Sequence, residues 1–159
     1  MTNANDRFNL FLIAGLAGGL TEVLWISLYS MLSNTGGMEI SRQITATVIP
    51  ALSAHALAPA LGIAIHLVLS VSLAAGFCLL AVKPMVRYFG RPGLLAGSCL
   101  VLAVVWKVNF FILLPMINPS FIALLPLTVT LISKLLFGLA MATVLLYGLE
   151  NRTINSYST

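Results

Sequence analysis

From Phe8 to Leu32 the chain runs through apolar and small residues with a single charged side chain, Glu22, near its middle. Crossing the hydrocarbon core of a bilayer takes about 20 helical residues, so this run is long enough to span. Only helices and closed barrels satisfy their own backbone there. The spacing is helical: Gly15, Gly18 or Gly19, Glu22, Trp25 and Tyr29 recur every three or four residues. One face of this first helix is therefore small, acidic and aromatic. Gly15, Gly18 and Gly19 are expected to form a close helix-packing face, because small residues let backbones approach.

Three more apolar runs follow, at about Pro59–Val82, Leu94–Met116 and Phe121–Leu149. The basic stretch Lys83–Gly93 separates the first two, and the short Ile117–Ser120 turn makes the last two antiparallel neighbours. The chain of 159 residues is 60% hydrophobic and 8% charged, whereas a soluble domain carries about 25% charged residues. Its excess apolar surface must face lipid or other membrane subunits. The expected fold class is an all-α integral membrane protein, with residues 1–159 forming a single four-transmembrane-helix bundle.

The longest connection, Met38–Ala58, is of a different kind. Ile40, Ile44, Val48 and Leu52 lie four apart among Glu39, Arg42, Gln43 and several hydroxyl residues, and Pro50 interrupts the pattern. This is the spacing of an amphipathic helix, expected at the membrane interface between helices 1 and 2, or of a re-entrant loop.

Lysine and arginine placement sets the orientation. With four spans, Arg7, Lys83, Arg87, Arg91 and Arg152 share one side, and Arg42 alone lies on the other. The positive-inside rule then places both termini in the cytoplasm of a bacterial-type inner (plasma) membrane. The Phe8–Leu32 run outlasts a signal-peptide core and is expected to be a retained span.

Charges inside the runs are the candidate site. Counting 1.5 Å per residue from the outer span ends, Glu22, His66 and Lys107 fall on the order of 10–15 Å deep, and Lys134 somewhat deeper with a long stem. A centred charge costs about 2.5–3.5 kcal/mol to insert, which favours pairing. Glu22, Lys107, Lys134, His66 and Asn109 are expected to form a buried polar network, with Glu22 paired to Lys107 in preference to Lys134 because their depths agree. The remaining cation then needs an anion from elsewhere, or must snorkel or lose its charge. Lys107 and Asn109 are about 200° apart on a helix and face different neighbours.

His66 is read as a hydrogen-bonded bundle histidine, with haem ligation as its alternative. His55 is expected at the outer interface. Trp25, Tyr29, Trp106, Phe110 and Phe111 read as packing or interface anchors, with a quinone or lipid slot as the alternative. Cys78 and Cys99 have no metal or disulfide spacing and read as small apolar fillers. The formal net charge of +4 sits mostly in membrane-flanking segments, which argues against nucleic acid. No nucleotide loop, zinc-protease motif or serine elbow occurs, and no cofactor or metal is expected.

These features point to a non-catalytic accessory or assembly subunit of a larger integral membrane complex, of energy metabolism in the first instance. Its partners would be the lipid bilayer and other integral membrane subunits, or copies of itself. A small oligomeric transporter or ion-translocating protein using the intramembrane charges is the alternative. A haem- or quinone-binding electron-transfer subunit is the third reading. Reporter fusions at Gly37 and Thr159 test the orientation: only the Gly37 fusion should report the periplasmic side, and a periplasmic signal from Thr159 sinks it.

Overall fold

The computed structural model describes residues 4–33 and 35–157, with side chains described for 8–33 and 35–148; all regular structure among them is helical. Helix α1 covers Ala4–Ser33 and α2 Gly37–Val48. A 3₁₀ turn at Pro50–Leu52 leads to α3, Ala58–Phe77. Helix α4 covers Lys83–Val108, the short α5 and α6 Leu114–Ile117 and Pro119–Ile122, and α7 Leu127–Tyr157. Three helical runs are long and apolar enough to cross a membrane: Phe8–Ser33, Ala58–Ile117 and Leu127–Gly148.

The middle run is helical over 60 residues but is not straight. Gly90 has φ 64° and ψ −157°, a region glycine enters freely and other residues rarely do. A Cβ on Gly97 would lie 2.6 Å from Met85 Sδ, although twelve residues of one straight helix span about 18 Å. The chain therefore folds back on itself at Gly90. The turn expected over Lys83–Gly93 is compressed to that one non-helical residue. Pro92 follows within the first turn of the returning helix, where a missing N–H costs nothing.

Two π-helical turns interrupt the same run, at Cys78–Val82 and Asn109–Leu113. Each ends two residues before a proline, Pro84 or Pro115. A proline ring collides with the carbonyl four residues back and leaves it without a donor. A wider i→i+5 turn just upstream relieves both.

Helix α1 packs against α3 on one side and α7 on the other, and α7 packs in turn against α4. Small residues set these approaches: a Cβ on Gly15 would lie 2.5 Å from Val71 Cα, and one on Gly18 2.7 Å from the Phe137 ring. Toward the Gly90 end the bundle is filled, with Ala14, Phe77, Leu94, Leu102, Met141 and Leu145 buried. Ser98 adds a hydrogen bond to the Gly138 carbonyl at 3.0 Å, where α4 and α7 touch. At the other end α3 and α4 splay apart and α2 lies across the gap. Helix α2 is fastened to α3 by Thr45 Oγ1, which donates to the Ala58 carbonyl at 2.6 Å. It is fastened to the turn before α6 by Asn118, whose Nδ2 reaches Gln43 Oε1 and Thr47 Oγ1, each at 3.0 Å.

Two expectations change. The last long helix begins at Leu127 rather than Phe121, because Pro126 lies at its entrance and α6 forms a separate turn before it. Pro126 opens this helix, and its carbonyl accepts from Val129 and Thr130. The helix continues through the polar tail to Tyr157. In α2 the four-spaced apolar series divides: Ile40 is buried, whereas Val48 and Leu52 are exposed, since the helix ends at Val48 ahead of Pro50. Arg7 and Arg152, used for the orientation, have side chains outside the described residues.

Gly62 is where α2 rests on α3, since an added Cβ would stand 1.8 Å from the Ser41 carbonyl oxygen. Gly62→Ala should lower unfolding stability in detergent by about 1–3 kcal/mol, the scale of overpacking. Gly76→Ala, with nothing within 4 Å of the new carbon, should leave it equal or slightly higher. Equal behaviour of the two variants would show that α2 does not rest there.

Candidate functional site

Glu22 lies on the face of α1 that carries the three glycines, four residues past Gly18 and three past Gly19. Those glycines bring α1 so close to α3 and α7 that the carboxylate is shut between them, and Glu22 is 8% exposed. Lys134, on α7, reaches it: Nζ is 2.8 Å from Oε1 and 2.8 Å from Oε2. A bidentate, charge-assisted contact of this kind is among the stronger polar interactions available to a buried carboxylate. Ser133 Oγ stands 3.0 Å from Glu22 Oε1 and 2.8 Å from the Thr130 carbonyl. The Lys134 ammonium also lies over the Phe137 ring, 5.8 Å from its centroid.

His66 comes from α3 on the opposite side of the carboxylate, with Nε2 3.6 Å from Glu22 Oε2. That distance is too long for a hydrogen bond, and buried Nε2 has no partner.

Two indoles grip the first turns of α7 beside this centre. Trp25 Nε1 donates to the Val129 carbonyl at 3.1 Å from the α1 side. Trp106 Nε1 donates to Thr130 Oγ1 at 2.9 Å from the α4 side, and that hydroxyl passes its proton to the Leu127 carbonyl at 2.9 Å. Lys134, one turn further along, is thereby held in register with Glu22.

The expected Glu22–Lys107 pair is not formed, and Lys134 takes the place of Lys107. Two physical reasons account for it. Helix α4 adjoins α7 rather than α1, so Lys107 has no route to Glu22. With α7 starting at Leu127, Lys134 is only about 10 Å from the helix end at 1.5 Å per residue, which removes its supposed extra depth. Lys107 instead is exposed on the outer surface of α4, with no polar partner among the described residues. Asn109 lies in the π turn on the other side of the helix and lines the central cavity. The network therefore brings together Glu22, Lys134 and His66, adds Ser133, and leaves out Lys107 and Asn109.

That cavity, about 830 Å³, opens above the Glu22–Lys134 contact between the splayed α3 and α4. Its walls are mainly apolar, with Ile63 and Leu73 from α3 and Val105 and Phe110 from the α4 side. Ile40 and Ile44 of α2 cover its far end. Among the described residues no three His, Cys, Asp or Glu side chains cluster as a metal site. Ser133 and the two indole bonds were missed in the sequence; the pairing of Ser133 with Thr130, three residues apart beside a buried lysine, was the available signal. No protein-family model, curated protein or solved structure matches the chain.

Removing one partner of a buried pair strands the other, at about 3–5 kcal/mol. Glu22→Gln or Lys134→Met alone should each lower stability on that scale in thermal unfolding, and the double variant should recover most of the loss. Lys107→Met should cost nothing. Additive losses in the double variant would show that the two groups do not depend on each other.

Proposed function

We propose that this chain is a four-span protein of a bacterial-type inner membrane and a non-catalytic accessory or assembly subunit of a larger integral membrane complex. Sixty residues of helix would extend about 90 Å, three times the hydrocarbon thickness. The fold-back at Gly90 divides Ala58–Ile117 into two crossings, which with α1 and α7 makes four. Both termini then share the cytoplasmic side with Lys83, Arg87 and Arg91, and α2 lies along the outer interface.

Lys107 is the observation that carries the subunit reading. Its own pairing site is taken, because Lys134 satisfies Glu22 inside the chain. Lys107 is left exposed on α4 in a surface that also exposes Leu100, Val104 and Phe111. An ammonium facing hydrocarbon costs about 2.5–3.5 kcal/mol. A carboxylate or carbonyl from a neighbouring membrane helix, seated against that apolar surface, offsets the cost. The other intramembrane ion pair, Glu22–Lys134, is in this reading a lock that holds the chain's own helices.

Native purification in mild detergent with mass spectrometry of co-purifying chains tests this. Wild type should carry a stoichiometric membrane partner, Lys107→Met should lose at least tenfold of it, and Glu22→Gln/Lys134→Met should keep it. A Lys107→Met sample that retains its partner would overturn the reading in favour of a snorkelling lysine.

The cavity above Glu22 favours one second reading, a small oligomeric transporter that uses the intramembrane charges. In proteoliposomes that reading requires a flux abolished by Glu22→Gln/Lys134→Met. The subunit reading requires no flux from either protein.

A further inference from the structure

The cavity floor has a hydrogen-bonding demand that the chain itself does not meet. His66 Nε2 is buried and has no hydrogen-bond partner, and it stands 3.6 Å from Glu22 Oε2, too far for a direct bond. A hydroxyl placed between or beside them can donate to Glu22 and form a second hydrogen bond with Nε2, whichever tautomer the neutral ring adopts. Protonating His66 would supply a donor instead, but Lys134 already balances Glu22, and a second cation there would be uncompensated.

The geometry points to a ligand site: the cavity binds a neutral amphiphile whose hydroxyl head hydrogen-bonds to Glu22 and His66 Nε2 and whose apolar body lies between α3 and α4. The head is neutral because the floor already holds one anion against one cation. An ammonium would be repelled by Lys134, and a carboxylate or phosphate would compete with Glu22 for it. The body is apolar because Ile63, Leu73, Val105 and Phe110 form the walls. A volume of about 830 Å³ lies within the range of roughly 300–1,000 Å³ usual for small-molecule sites. Rim residues Ile63 and Leu113 are 37% and 43% exposed, so the body can enter sideways between the helices. Chemically the class is a long-chain or isoprenoid alcohol or a lipid-soluble phenol.

Photolabelling of the full chain in nanodiscs tests the assignment, with a diazirine-bearing hexadecanol as probe and its methyl ether as the non-donor control. The alcohol should label peptides around Ala60–His66 and Val105–Leu113 at least tenfold more than the ether does. Unlabelled hexadecanol should compete it away. His66→Leu should abolish the difference, and His66→Gln, which restores a hydrogen-bonding side chain, should recover part of it. Ile63→Trp fills the wall without touching the polar groups and should also abolish labelling, which covers the case of a His66 variant that fails to fold. Equal labelling by alcohol and ether, or alcohol labelling spread evenly over outward-facing α4 and α7 residues such as Leu100 and Leu139, would overturn the site.

Discussion

A carboxylate buried between apolar helices has to be neutralised where it stands, and the rest of this structure follows from how Glu22 meets that requirement. Its two oxygens take the Lys134 ammonium at 2.8 Å each, with a Ser133 hydroxyl beside one of them. The pair alone is weak as a source of net stability, since two desolvated ions recover little more than they lose. Its force lies in the penalty for separating them. Any slip of α1 along α7 by one residue would move the groups about 1.5 Å and turn through 100°, leaving both stranded. The indoles of Trp25 and Trp106 hold α7 from both flanks at the same level. Gly15, Gly18 and Gly19 allow the close approach that makes the contact possible. Charge specifies the register here, and packing supplies the attraction.

The bundle is accordingly of two kinds along its length. Near Gly90 it is filled by side chains such as Phe137, Leu94 and Met141, each at most 1% exposed. Beyond the Glu22 level α3 and α4 part, and the space between them is covered by α2 rather than filled. Two lysines in neighbouring helices consequently have opposite fates. Lys134 turns inward and is satisfied, whereas Lys107 turns outward on α4 and has no polar partner among the described residues.

The helical character, the apolar runs and the special status of Glu22 were legible in the sequence, because periodicity and burial cost are local properties. The pairing of Glu22 was not. Depth counted from span ends cannot say which helices are neighbours, and α4 stands behind α7 as seen from α1. The start of α7 was also misplaced by six residues: the apolar run continues through Phe121–Leu125, and only the position of Pro126 marks where the long helix begins. The reversal at Gly90 was hidden in a stretch with four turn-forming residues, Pro84, Gly90, Pro92 and Gly93, of which one adopts a non-helical conformation. The π turns before Pro84 and Pro115 had a readable cause, but hydropathy does not register backbone strain. The cavity depends on how far α3 and α4 diverge, and nothing local encodes that.

The most direct measurement is solid-state NMR in lipid bilayers, reading the dipolar coupling between ¹⁵Nζ-lysine and ¹³Cδ-glutamate. One strong coupling is expected, unchanged in Lys107→Met and absent in Lys134→Met and Glu22→Gln. A coupling that survives Lys134→Met and disappears in Lys107→Met would contradict it.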